Sequence, residues 1–248
     1  MNEEFLFGKL TLQDLLAVDD PAWPAVQNWI QASTNIVEVL PPDETHREQS
    51  LLETQVSVRS SMGALVYHAG GLLIDHGWLR VLGSGHPRLP RSIATWNRGR
   101  SMTKAGRSLG FWLIADDVIG GFFALNGGAF GPADGRVFYF APDTLSWESM
   151  QEMNYGQFLV WSFSSGLAPF YESVRWKGWE LRVAALNGDQ AFSIYPPLWT
   201  AEGQDPEKSS RRPCPVDEIY SLNVEEIPRQ RQSDLKSSAR DREPNDFN

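Results

Sequence analysis

The side chains best suited to chemistry in this 248-residue chain are its four histidines, His46, His68, His76 and His86. No two stand at the i, i+4 spacing that puts two zinc ligands on one helix face, and one cysteine, Cys214, cannot make a thiolate cluster. Neither a metal nor a cofactor is expected. Asp75-His76 has the composition of a general base with its orienting carboxylate, but neighbours in a strand point to opposite faces. Gly83-Ser84-Gly85-His86 is not the Gly-x-Ser-x-Gly of a nucleophile elbow, and Pro87 blocks an immediate helix; a flexible turn is the simpler reading. Gly120-Gly121 and Gly127-Gly128 lack the spacing and the lysine of a phosphate loop and read as hairpin turns. Asp116-Asp117 closes a strand and enters a turn, where such pairs usually hydrogen-bond the backbone. Catalysis by that pair needs a third acid from another element, such as Asp134 or Asp143. No residue is assigned a catalytic role.

Charge is the pattern that stands out. From His76 to Ala115 there is no acid, while Arg80, Arg88, Arg91, Arg98, Arg100, Lys104 and Arg107 are all present. From Ser108 to Ser173 the sign reverses, with Asp116, Asp117, Asp134, Asp143, Glu148, Glu152 and Glu172 facing only Arg136. Either the basic stretch folds back over the acidic one, or it is held out as a site for a partner. The second reading selects Arg88, Arg91, Arg98, Arg100, Lys104, Arg107, Asp116 and Asp117 as partner-binding residues. The net charge of −9 argues against nucleic acid and against a membrane surface. No apolar run approaches the roughly 18 residues of a membrane helix. The acidic N-terminus lacks the form of a signal peptide, and with a lone cysteine this places the expectation in the cytoplasm.

These residues need elements to position them. Thr11-Leu12-Gln13-Asp14 resembles a capping box, and Trp23, Val26, Trp29 and Ile30 fall on one helical face. A strand or turn is read at 36–40 and a third helix after Pro41-Pro42-Asp43. Near Met62 the period shifts toward two, and 15 of the 21 glycines lie between Gly63 and Gly135. Strands are expected at 64–68, 72–75, 78–82, 111–116, 119–125, 136–140 and 145–147, with one helical turn at 92–97. Short links make the sheet mainly antiparallel. Helices follow at 155–164 and 179–186, then a late edge strand at 192–195. The fold class is α+β: a mainly antiparallel sheet of about seven strands flanked by N-terminal and C-terminal helices. All ten tryptophans precede residue 200. They read as core rather than as an oligomer interface, so residues 1–200 form one globular domain. Residues 201–248 form a polar tail, mostly disordered, of which 216–227 has enough apolar positions to dock.

Three runs carry a family likeness. Leu72 to Gly85 (LLIDHGWLRVLGSG), Ala115 to Gly128 (ADDVIGGFFALNGG) and Val137 to Trp147 (VFYFAPDTLSW) resemble the bacterial family catalogued as domain-of-unknown-function 2625, over about Leu12 to Thr200. That likeness implies no activity. A weaker one, over Phe111 to Phe163, is similar to the SUKH superfamily. It implies an α+β fold, no enzyme activity, and for many bacterial members an immunity role in which a toxin domain is bound. The expectation is therefore a non-enzymatic protein-binding module, with a toxin-like protein as one partner. The alternative is a small-ligand binder or enzyme with a pocket near Asp75, His76, His86 and Asp116.

Overall fold

The computed structural model describes residues 9–103 and 108–228. Its seven-stranded sheet has the simplest order available. The strands β1 (Val37–Leu40), β2 (Gly71–Ile74), β3 (Leu79–Leu82), β4 (Phe111–Asp117), β5 (Phe122–Asn126), β6 (Arg136–Ala141) and β7 (Ser146–Asn154) each pair antiparallel with the next. The β2–β3 turn shows why the sequence closes a hairpin there. Asp75 and His76 have φ of 54° and 61°, the two left-handed residues of a type I′ turn. The pair therefore lies in the turn itself, and strand alternation does not describe its side chains.

Six of the seven expected strands are strands. The segment 64–68 is instead part of a helix. The helices α1 (Leu12–Leu16), α2 (Trp23–Gln31), α3 (Arg47–Thr54) and α4 (Ser61–His68) precede or interrupt the first strands. Ser60 caps α4 by accepting from the Gly63 amide at 3.0 Å. A Cβ on Gly63 would stand 2.2 Å from the Ser57 carbonyl oxygen, so the helix is seated close on the preceding chain. Met62, Ala64, Leu65 and Val66 are all buried, and α4 packs against α2 and α3. A helix covered on most sides shows no polar face, which is why its period was misread. The seventh strand is β1, at the segment left open between strand and turn.

The second half adds α5 (Ile93–Asn97), α6 (Tyr155–Phe163), α7 (Leu167–Tyr171) and α8 (Trp179–Ala184). Ser92 and Thr95 form a full capping box on α5, so the basic stretch carries a fixed helical turn. All ten tryptophans sit in the core or pack against it. Among the described residues, no helix is long and apolar enough to cross a membrane.

The chain goes on packing beyond residue 200: the strand at 210–215 was not expected, whereas 216–220 docks within the segment 216–227 read as able to. A separate two-stranded sheet joins β8 (Gln190–Tyr195) to β9 (Ser210–Pro215), and α9 (Val216–Tyr220) follows. Val216, Ile219 and Tyr220 are buried, and the Tyr220 ring lies 5.0 Å from Phe122 and 5.9 Å from Trp96. The sequence Ser-Arg-Arg-Pro-Cys-Pro is a poor strand by composition. It is held by backbone pairing along β8, and its prolines are tolerated on an edge strand. The rest of the expected tail, residues 229–248, lies outside the described residues.

Candidate functional site

The basic stretch is tied down internally. Arg88 reaches Glu38 with both guanidinium nitrogens, one at 2.9 Å. Arg98 meets Glu53 at 2.7 Å, and Arg100 pairs with Asp217 while donating to the Trp96 carbonyl at 2.8 Å. Arg91 meets Asp116 at 2.6 Å and the Gly188 carbonyl at 2.7 Å. Each of these four arginines thus has a carboxylate from another part of the chain, and only Asp116 comes from the acidic stretch. Lys104 and Arg107 lie outside the described residues.

Asp116 and Asp117, adjacent at the end of β4, do different work. Asp116 is fully buried between Arg91 and Arg80, the latter 2.5 Å away and 2% exposed. Two guanidiniums around one carboxylate make a charge cluster that water cannot reach. Asp117 is also fully buried, yet it faces hydrogen-bond donors rather than an ion. Its Oδ1 accepts from the amides of Ile119 at 3.0 Å and Gly121 at 2.7 Å, the backbone-closing turn expected of it. Its Oδ2 accepts from the hydroxyls of Tyr139 at 2.8 Å and Tyr171 at 3.0 Å. Burial pushes the Asp117 carboxyl up, and these four donors oppose the shift. Burial first, then the Asp117 charge, push both phenols well above their ordinary value. The cluster also fixes a glycine: a Cβ on Gly121 would lie 2.2 Å from the Tyr139 oxygen and 2.3 Å from Asp117 Oδ2.

The two tyrosines that Asp117 anchors are walls of a surface cavity of about 160 Å³. Phe170 completes the aromatic lining, its ring 5.1 Å from Tyr139 and 4.8 Å from Tyr171. Asp143 and Glu148, from the β6–β7 turn and β7, line the same cavity, with exposed Ser173 beside them. Thr144 donates to Glu148 at 2.8 Å and holds that carboxylate in place. Tyr139 and Tyr171 are themselves buried, so they back the half-buried Phe170, whose ring with the two exposed carboxylates suits an ammonium or guanidinium group. Asp143 was named from the sequence as a converging acid. It reaches the site that Asp117 supports, whereas Asp116 turns to the arginines.

The other sequence candidates are dispersed. Asp75 pairs with Arg175, and His76 packs edge-on against Trp179 at 5.8 Å. His76 lines a cavity of about 230 Å³, and His86 lines a different one of about 480 Å³. With Asp116 buried elsewhere, the four residues of the alternative pocket do not gather in either cavity. Ser84 donates to the Ala69 carbonyl at 3.1 Å. Cys214, on β9, donates to Glu218 at 3.3 Å; burial, with that carboxylate, pushes its thiol up to about 11. Tyr139, Phe170 and Tyr171 were missed as site residues. Their one legible trace was the alternation of Val137-Phe138-Tyr139-Phe140, which marks a strand and not its partner.

A family model described as "Protein of unknown function DUF2625" matches residues 12–219, through β9 and most of α9. YbfG of Escherichia coli (strain K12), described as uncharacterized, is 45% identical over 214 residues, covering 86% of this chain and 95% of its own length. An uncharacterized protein of Haemophilus influenzae is 39% identical over 188 residues, covering 76% of this chain and 82% of its own. No solved structure matches, so the SUKH likeness rests on the sequence of Phe111 to Phe163 alone.

Proposed function

Since the chain belongs to the DUF2625 family, which is defined without an activity, we propose a function from its own geometry: a non-enzymatic protein-binding module that seats a cationic side chain of a basic partner. The observation that carries this reading is the cavity of Tyr139, Phe170 and Tyr171 with Asp143 and Glu148 on it. Two further features support it. The net charge is −9, and the described arginines of the basic stretch are already spent on internal carboxylates, which favours a basic partner over an acidic one. The most deeply buried ionisable groups near the site, Asp117 and its phenols, serve as supports for the rings. A nuclease-type toxin domain, basic because it must hold nucleic acid, has the required chemistry, and immunity-type binding of one is the form of the proposal that the SUKH resemblance implies. The setting proposed is the cytoplasm, where a chain with one cysteine forgoes no disulfide.

The test places a photo-crosslinking amino acid at Ser173 in the full chain, in bacterial cells. A discrete adduct with a second polypeptide is expected, reduced about tenfold by Asp143→Asn together with Glu148→Gln. An adduct pattern indifferent to that double substitution overturns the proposal, as does the absence of any adduct.

A further inference from the structure

A second concavity carries a different chemistry. The cavity of about 480 Å³ lies between α3, with the turn before it, and the loop that leads into α5. His46 and His86 both line it, and their hydrogen bonds give them opposite character. The Thr45 hydroxyl donates to Asp43 Oδ1 at 2.6 Å, so toward His46 Nδ1, 3.1 Å away, it can only accept. Asp43 Oδ2, 2.8 Å from the same nitrogen, also only accepts. Donation from Thr45, and then from His46, holds the Asp43 carboxyl far below the usual carboxylate range, so it remains an acceptor. The neutral His46 ring therefore carries its proton on Nδ1 and presents a bare Nε2. At His86 the direction is reversed. Its Nδ1 accepts from the Arg88 amide at 3.1 Å, which puts the proton on Nε2. Among the described residues, neither Nε2 makes a hydrogen bond.

The rest of the lining sharpens the choice of ligand. The Ser84 hydroxyl proton is spent on the Ala69 carbonyl, Ser92 donates to Thr95, and Thr95 donates to the Ser92 carbonyl. The Thr95 oxygen already accepts from the Ser92 amide and hydroxyl, and the Ser92 oxygen from the Thr95 amide, so the spare acceptor positions are on Ser84 and Ser92. Glu53 is occupied by Gln49 at 2.7 Å and Arg98 at 2.7 Å, so that ion pair is closed. A phosphate or carboxylate brings only acceptors, and meets an acceptor-rich lining that includes the Asp43 carboxylate. An ammonium brings only donors; it satisfies the acceptors but leaves the Nε2–H of His86 without a partner. A hydroxyl brings both. We propose that this cleft binds a small, uncharged molecule with several hydroxyl groups, which donate to His46 Nε2 and accept from His86 Nε2–H. The volume falls within the 300–1,000 Å³ or so usual for small-ligand sites. The site is separate from the acidic aromatic cavity and stands without it.

The test is long-range ¹H–¹⁵N NMR of the imidazole nitrogens in the full chain at pH 8. Free protein is expected to show His46 bare at Nε2 and His86 bare at Nδ1. Titration with D-ribose, D-glucose and glycerol is expected to shift both Nε2 signals for at least one of them, whereas inorganic phosphate and ethylammonium leave both in place. His86→Leu is expected to weaken the response at His46 about tenfold, with the His46 tautomer kept as the sign that the fold is intact. Matching tautomers at the two histidines overturn the proposal. So does a response to phosphate or ethylammonium without one to a polyol, and so does silence toward all three polyols.

Discussion

Two neighbouring aspartates show how far a single position determines a role. Asp116 compensates Arg80 and Arg91, so Asp116→Ala leaves two buried guanidiniums facing each other and is expected to cost about 3–5 kcal/mol, read by urea denaturation. Asp117→Asn keeps the shape but puts an amide N–H₂ among donors. The expected cost is about 2 kcal/mol, with a weaker Ser173 adduct because the tyrosine walls lose their anchor. The phenols supply a pH test. Of six tyrosines, Tyr139, Tyr155, Tyr171 and Tyr220 are all pushed upward, with burial as the first cause. An upward-shifted phenol stabilises the fold fully below the unfolded value of about 10, and that stability is lost as pH rises through the folded value. Absorbance at alkaline pH is therefore expected to register no more than two ionised tyrosines per folded chain at pH 11. Ionisation of all six in a chain still folded by circular dichroism would contradict this. The sequence showed the turn-closing half of Asp117, because its amide partners are two and four residues away. It could not show the phenols, 22 and 54 residues on, which only the packing of β6 and α7 delivers.

The elements that the sequence describes best are those whose ends it punctuates or whose one face is wet. β2 to β7 were legible because apolar and β-branched or aromatic runs are bounded by turn residues such as Gly77, Gly120-Gly121 and Pro142-Asp143, and α6 because Phe158, Leu159, Ser162 and Phe163 share its buried side. α4 was not, since helix and central strand look alike when neither has a polar face. β9 was not, since pairing through the backbone leaves no mark on side-chain composition. The packing of β9 and α9 is testable. A chain ending at Thr200 removes the strand that covers β8 and uncovers Trp96 and Phe122. It is expected to lose cooperative thermal unfolding or to aggregate. Tyr220→Ala, which removes the same ring from the full chain, is expected to cost about 3 kcal/mol. A truncated chain that melts like the full one would show that the docked segment contributes nothing.

At the scale of the molecule, the segregated charge of the sequence resolves into internal pairing on one side and unspent acids on the other. Partner capture through Asp143 and Glu148 should then be screened by salt. The Ser173 adduct is expected to fall severalfold between about 0.05 and 0.5 M ionic strength, where the screening length shrinks to a few ångströms. The order of the seven strands has a consequence for synthesis on the ribosome. Each strand meets a partner that has already emerged, and Asp116 enters a chain in which Arg80 and Arg91 are already made. Asp117 must wait until Tyr139 and then Tyr171 have been added. A nascent chain paused between residues 117 and 171 would hold the Asp116 cluster but not Asp217 for Arg100, nor Arg175 for Asp75, and no finished acidic cavity, so a partner of the kind proposed could be bound only by a chain whose synthesis has passed Tyr171.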